Sequence, residues 1–353
     1  MRVVPSHVRD VLGKRAAWAG AIALLALAGG PAQAAVTSTP LIVDPSSSAL
    51  TPAATATQLA WEQNSAANPS HWDVRARNRA GGASWKVNGG TSSGYNPSVV
   101  QGTANTIIYQ QAGRTDSNLV YYNLSTKTRT KLPDKVDSPL WEYDGVASTS
   151  YVAFMRYTST SRVLLLYKRS SGRITEITSI KRGCDCLRPT WVGSSHLVYE
   201  QCSASTFACT IRVLTIGGSA VKVPRGAAPY DTYGGVLDEA TGDLYFVNST
   251  TYCGIFASVS RWNVSGSSAP EVIVDFPEGI DGNNLSLAPD QSVGGDSDLL
   301  YSQYDCIAND SDVYEVDSVN QIAGAHPPSL PRASGSGGRL SAPARLGGSP
   351  PAG

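Results

Sequence analysis

Residues 141–154 read WEYDGVASTSYVAF, and the architecture follows from the triplet that ends them, Val152-Ala153-Phe154. Two apolar residues closed by an aromatic one recur as Leu59-Ala60-Trp61, Ile107-Ile108-Tyr109, Leu197-Val198-Tyr199, Leu244-Tyr245-Phe246 and Leu299-Leu300-Tyr301. The period is ~46 residues, the range of repeat architectures built from small sheets. Each triplet is followed by a polar stretch and a second strand-like run, at residues 72–75, 119–123, 163–168, 211–214, 258–263 and 312–316. A turn rich in Gly, Ser or Thr leads into a third run in five of the units. A further candidate strand precedes each triplet, often near a proline (Pro97, Pro139, Pro189, Pro229). Short strands separated by turn signals at even spacing, with no helical period beyond the N-terminus, describe an all-β chain.

Six such units predict a six-bladed β-propeller of four-stranded antiparallel blades. The residues carry a resemblance as well. Trp141-Glu142-Tyr143-Asp144-Gly145 before Val152-Ala153-Phe154 is similar to the W-S-P-D-G…I-A-F signature of TolB-like propeller repeats of exported bacterial type. Leu287-Ala288-Pro289-Asp290 before Leu299-Leu300-Tyr301, and Pro189-Thr190-Trp191, match it in part. The resemblance spans roughly residues 50–320 and implies contact with another protein or an envelope component.

The last unit lacks a fourth strand, while Leu41-Ile42-Val43-Asp44 is an unassigned strand-like run resembling Val272-Ile273-Val274-Asp275. The expectation is that this N-terminal strand completes the last blade and closes the ring, removing an exposed sheet edge. The alternative is a disordered lead.

The chain begins as an export signal. Arg2, Arg9, Lys14 and Arg15 precede a short apolar run, and Ala32-Gln33-Ala34 fits the small-x-small rule, placing cleavage before Ala35. The predicted domains are a signal peptide at 1–34, a propeller at 35–324 and a disordered Pro/Gly/Ser-rich tail at 325–353. The mature form is expected to be extracellular and monomeric, with no membrane span, because the apolar run is shorter than the ~20 residues a spanning helix needs.

Composition narrows the function. Lysine plus arginine number 28 against 28 acidic residues, and charged residues are only 16% of the chain. A nucleic-acid binder needs a basic surplus, so that class is set aside. The 41% hydrophobic content supports a sizeable core.

Six cysteines in an exported chain read as disulfides. Cys202, Cys209, Cys253 and Cys306 fall in loops between the second and third strands of their units, and Cys184 and Cys186 in a connection between units. All six therefore belong to one face. Fifteen pairings are possible. Cys184 and Cys186 are too close to bridge each other without strain, so two bridges to Cys202 and Cys209 are expected, with Cys253 paired to Cys306.

Catalytic signatures are sparse. No Gly-x-Ser-x-Gly elbow occurs. His71 and His196 begin strands in different units and read as strand-edge residues. Propeller lyases related to TolB repeats use several channel histidines around a metal, which this sequence does not supply. No cofactor is expected. Calcium is a weak alternative on Asp290, Asp296 and Asp298, or on Asp305, Asp310 and Asp312, since oxygen-rich loops suit a hard cation. Trp141 and Trp191 read as packing between blades. Residues just before the inner strands face the channel mouth of a propeller, which nominates Asn96, Asp137, Arg188, Tyr230, Asp281 and Asn283 as binding residues. The sequence thus predicts a non-catalytic binding module that works through its loop face or channel mouth. The alternative is a glycoside hydrolase using channel carboxylates such as Glu142, Asp144 and Asp231, since two carboxyls suffice for that chemistry.

Overall fold

The computed structural model describes residues 38–43, 47–65, 67–113, 116–181, 186–206, 208–224, 231–249, 257–266, 268–289, 297–306 and 310–316. The expected signal at 1–34 and the tail at 325–353 lie outside them. No helix of the described residues is long and apolar enough to cross a membrane.

The described chain is all strand. After β1 (Ser38–Ile42), a first sheet comprises β2 (Ala49–Ala54), β3 (Gln58–Ser65), β4 (Asn68–Asn78) and β5 (Trp85–Lys86). The chain continues through β6 (Ser93–Gln101), β7 (Thr106–Ala112), β8 (Ser117–Asn123) and β9 (Thr128–Lys131), then β10 (Glu142–Ser148), β11 (Tyr151–Tyr157), β12 (Ser161–Lys168) and β13 (Arg173–Lys181). Two four-stranded sheets follow. One holds β14 (Leu187–Val192), β15 (His196–Cys202), β16 (Cys209–Thr215) and β17 (Ala220–Lys222), the other β18 (Asp231–Asp238), β19 (Asp243–Ser249), β20 (Ala257–Asn263) and β21 (Glu271–Asp275). The last strands are β22 (Ile280–Pro289), β23 (Ser297–Asp305) and β24 (Asp310–Val316), which share a sheet with β1 in the order β1-β24-β23-β22.

The apolar triplets lie on the second strands, which are covered on both faces. Leu59, Ala60, Ile107, Ile108, Tyr109, Phe154, Leu197, Tyr245, Phe246, Leu299, Leu300 and Tyr301 are all buried. A strand buried on both faces must be apolar without alternation, which is why the triplets stand out in the sequence. Neighbouring sheets pack face to face. Val74, Ile107 and Tyr109 join one pair, and Ile108, Leu119, Phe154 and Leu165 the next. Ile42, Ala54, Leu59, Trp61, Leu300 and Val313 pack the β1/β22–β24 sheet on the β2–β5 sheet. The architecture is an all-β propeller.

Six separate four-stranded blades are not what the hydrogen bonds form, and the expectation is corrected. Among the described residues there are four four-stranded sheets and one of eight strands, ordered β13-β12-β11-β10-β6-β7-β8-β9. Two repeats merge through a parallel pairing of Ala147 with Val100 and Ser148 with Gln101. Just before this pairing Gly145 packs against Leu119 of β8, where a Cβ would lie 2.7 Å from Leu119 Cδ1. The closing strand is corrected too. Of the expected run at residues 41–44, only Leu41 and Ile42 belong to the strand, which starts three residues earlier, at Ser38; Asp44 lies outside the described residues. β1 ends at Ile42, pairs antiparallel with β24 from Ser38↔Val316, and leaves Val43 59% exposed.

Candidate functional site

A narrow channel is walled by β2, β6, β10, β14, β18 and β22, the first strand of each repeat, through residues that include Thr51, Asn96, Asp144, Arg188, Gly234 and Asn284. Its volume is about 60 Å³. That holds a few waters and falls well short of the ~300–1,000 Å³ of an ordinary small-molecule pocket.

Each of these six strands slips register against its partner at the same place. The shifts fall at Leu50/Ala53, Tyr95/Ser98, Tyr143/Val146, Pro189/Trp191, Tyr233/Val236 and Asn283/Leu285. A bulge carries an extra residue and re-aims a side chain. In five of the six bulges, all but that of β14, a residue takes left-handed backbone, with φ of 50° at Thr51, 49° at Asn96, 50° at Asp144, 67° at Gly234 and 27° at Asn284. Asparagine and aspartate tolerate this region, whereas a β-branched threonine does so only under strain.

The bulges are tied together by polar contacts. Asn96 Nδ2 donates to Asp144 Oδ1 at 2.6 Å, and Asn96 N donates to Glu62 Oε2 at 2.8 Å. Thr51 Oγ1 donates to the same Glu62 oxygen at 3.4 Å and accepts from Asn284 Nδ2 at 3.2 Å. Arg188 Nη1 reaches Asn284 Oδ1 at 3.3 Å, while Arg188 Nε holds Glu200 Oε2 at 3.1 Å. A belt thus runs Asp144–Asn96–Glu62–Thr51–Asn284–Arg188–Glu200 around the channel. It lies in the half of the channel where the inner strands begin, the same end that carries the β15–β16 loop.

Glu62 is 7% exposed. Burial pushes its carboxyl up to about 7, against the Asn96 N–H and Thr51 hydroxyl that favour the anion, and the Asp144 charge adds to the rise. The belt therefore holds one carboxyl that titrates near neutrality.

Of the sequence-nominated residues, the structure brings Asn96 and Arg188 into the belt. Asp137 sits in the turn before β10, its N–H on Pro133 O, and does not line the channel. Asp281 is buried, accepting from Tyr233 OH at 2.6 Å, and does not line the channel either. Asn283 pairs in the β22–β23 ladder opposite Ser302. Tyr230 lies outside the described residues. Thr51, Glu62, Glu200 and Asn284 were not singled out by the sequence. The repeat carried a signal for two of them, because Glu62 and Glu200 each follow the aromatic residue of a triplet.

Among the carboxylates considered for hydrolysis, Asp144 alone lines the channel. Glu142 is buried, with Arg156 Nε at 2.8 Å and Ser138 Oγ at 2.5 Å. Its carboxyl is raised by burial, which these partners oppose. Asp231 accepts from Cys209 N at 3.1 Å. His71 bonds Asp73 and Ser93, and His196 bonds Glu239 and Ser195. Trp191 is buried in the core shared with β18 and β19. Of the acidic loop residues, Asp298 is engaged by Arg79 at 2.6 Å and Asp310 by Ser48 Oγ at 3.1 Å, while Asp290 and Asp296 lie outside the described residues.

The disulfide pairing is corrected. Cys202 bonds to Cys209 across its own hairpin loop, not to Cys184 or Cys186. The register of β15 and β16 sets the two opposite each other. Cys186 and Cys306 are also disulfide-bonded, and Cys184 and Cys253 lie outside the described residues. Cys186 O accepts from Cys202 N at 2.7 Å, so the β14 entry and the β15–β16 loop share one end of the sheet.

Neither a protein-family model nor a curated protein sequence matches the chain. Solved structures do. TolB from Acinetobacter baumannii superposes with a TM-score of 0.52 at 13% identity, over 74% of this chain and 64% of that one, so the chain spans just under two thirds of its length. An oligogalacturonate lyase in complex with manganese gives 0.48 at 10% identity, over 81% and 94% of the two chains. A puromycin-hydrolyzing peptidase of Mycobacterium tuberculosis gives 0.46 at 15%, over 77% and 46%. Identities this low speak to fold alone, and the likeness to TolB carries it: the chain has a TolB-like β-propeller fold.

Proposed function

We propose that this protein is an exported, monomeric, non-catalytic binding module that receives a protein or cell-envelope component at the belted mouth of its channel. The observation that carries the reading is the set of left-handed bulges on five of the six channel strands. Strained backbone at Thr51, repeated in form at Asn96, Asp144 and Asn284, has a cost in stability and concentrates at sites with a task. The channel volume favours binding at the mouth over engulfing a sugar chain. Glu200 is paired with Arg188 and Asp144 with Asn96, so the belt is built to hold polar groups in place. The Cys202–Cys209 bridge is compatible with an oxidising compartment.

Photocrosslinking tests the reading. A crosslinker at Asn96 should capture a discrete partner from the native envelope or secretome, and one at exposed Thr126, in the turn at the opposite end of the sheets, should not. Equal labelling from both positions, or none from Asn96, overturns it. Sequencing of the exported product should begin at Ala35.

One observation favours the hydrolase reading. Glu62, titrating near 7 beside Asp144, has the pKa of a general acid. Turnover of an oligosaccharide panel, abolished by Glu62→Gln, would establish it in place of the binding role.

A further inference from the structure

We infer that opening the Cys202–Cys209 disulfide creates a site for one thiophilic divalent cation of the zinc class, with Cys202, Cys209 and Glu200 as its ligands. Side chains two apart on a strand share a face, so Glu200 and Cys202 on β15 point the same way. Cys209 is the residue directly opposite Cys202 on β16. The two sulfurs and a Glu200 oxygen consequently lie within 4.8 Å of one another. Tetrahedral zinc with sulfur at ~2.3 Å and oxygen at ~2.1 Å needs its ligand atoms ~3.5–4 Å apart, within reach by side-chain rotation.

Glu200 is already oriented as a ligand. Its Oε2 rests on Arg188 Nε at 3.1 Å, leaving Oε1 3.6 Å from Cys202 Sγ. Metal-ligating carboxylates are held this way by an outer partner. A disulfide sulfur has no proton to donate, so this approach gains nothing in the oxidised state. Glu200 is 2% exposed and Cys209 6%, a setting in which two thiolates are stable only against a cation. Arg188 offsets the remaining negative charge.

The chemistry balances with an external dithiol as reductant. Its two electrons and two protons break the S–S bond to give two thiols, and the reductant becomes a disulfide. The cation then displaces both thiol protons, forming two metal–sulfur bonds and one metal–oxygen bond, with a fourth position left to solvent.

Cobalt(II) is the probe, because thiolate–cobalt charge-transfer absorption reports the sulfurs directly. Protein reduced with dithiothreitol and desalted anaerobically should bind one cobalt with that absorption, and oxidised protein should show none. The Cys202→Ser/Cys209→Ser double variant, reduced in the same way, keeps the other four cysteines and should lose the signal. Glu200→Gln, which removes the anionic oxygen ligand, should bind at least ~10-fold more weakly, no less than the loss of an outer partner costs. The inference is overturned by absorption that persists in the double variant, by unchanged affinity in Glu200→Gln, or by no binding to folded reduced protein. It is equally overturned if reduction abolishes near-ultraviolet dichroism and cobalt does not restore it.

Discussion

Asn96 and Asp144, 48 residues apart in sequence, occupy corresponding bulges of adjacent inner strands and are joined side chain to side chain at 2.6 Å. Both hold left-handed backbone, at φ 49° and 50°. The repeat thus delivers two polar residues to the channel with matched geometry, and the same device supplies Thr51 and Asn284 farther round. The mouth is assembled by backbone distortion as much as by side-chain choice.

Thr51 is the position where that distortion can be measured. A β-branched residue at φ 50° carries strain of ~1–3 kcal/mol. Glycine relieves it but loses the hydroxyl contacts to Glu62 and Asn284, each worth ~1 kcal/mol. Alanine loses the contacts and keeps most of the strain. Thr51→Gly should therefore unfold in urea within ~1 kcal/mol of wild type, and Thr51→Ala should be the less stable of the two by ~1 kcal/mol. Equal stabilities would mean that the backbone there is unstrained. Partner capture at the mouth should fall in both variants.

Arg79 fastens the first sheet to the last. Its buried guanidinium meets Asp298 at 2.6 Å and also Glu315, and it donates to Thr55 O and Pro289 O at 3.3 and 3.0 Å. Arg79→Met takes the guanidinium away from the buried Asp298 and the half-buried Glu315, a loss of ~3–5 kcal/mol. Adding Asp298→Asn removes one of those charges, so the double variant should recover part of the loss. Thermal unfolding of the two variants checks the order. A double variant less stable than Arg79→Met would show that the carboxylates are not what the arginine holds.

Glu239 secures the turn between β14 and β15 from the neighbouring sheet. Burial would raise its pKa, but the N–H groups and hydroxyls of Ser194 and Ser195 outweigh that and bring it to about 2. Because the folded value is depressed, the stabilisation is present above the ordinary carboxylate range and disappears as pH falls through about 2. Hydrogen bonds to a charged group contribute ~1.5–3 kcal/mol, so Glu239→Ala should lose ~2 kcal/mol at pH 7. The gap between variant and wild type should narrow steadily below pH 4 in denaturant melts.

The triplets were legible in the sequence because strands covered on both faces must be continuously apolar, and six such runs at one spacing imply sheets packed on sheets. Asn96 and Arg188 were nominated as residues just before inner strands; both lie within those strands, near their starts, and line the channel. The bulges were not legible. Asn283 was nominated as a residue just before its inner strand, but β22 already begins at Ile280, and the bulge after Asn283 turns Asn284 into the channel instead. Asp137 failed for a different reason, because β10 begins only at Glu142 and leaves it in the preceding turn. The Cys202–Cys209 bridge depends on hairpin register, and the merger of β6 with β10 on a short parallel pairing between two repeats. Neither is encoded in spacing.

Glu62 makes the belt sensitive to pH, and the sign of its effect is opposite to that of Glu239. Burial lifts its folded value to about 7 from an ordinary value of 4.5, so the folded protein holds the proton more tightly than the unfolded chain. Stability should then fall as pH rises from about 4.5 through about 7 and level off above, by on the order of 3 kcal/mol. Glu62→Gln keeps the size of the side chain and removes the titration. Urea melts at pH 5 and pH 8 should show wild type losing stability relative to Glu62→Gln, with the variant the more stable at pH 8. Glu142 is raised in the same direction by burial and is present in both proteins, so the difference between them isolates Glu62. A pH-independent difference would place the Glu62 carboxyl in the normal range and remove the observation on which the acid-catalysis reading stands.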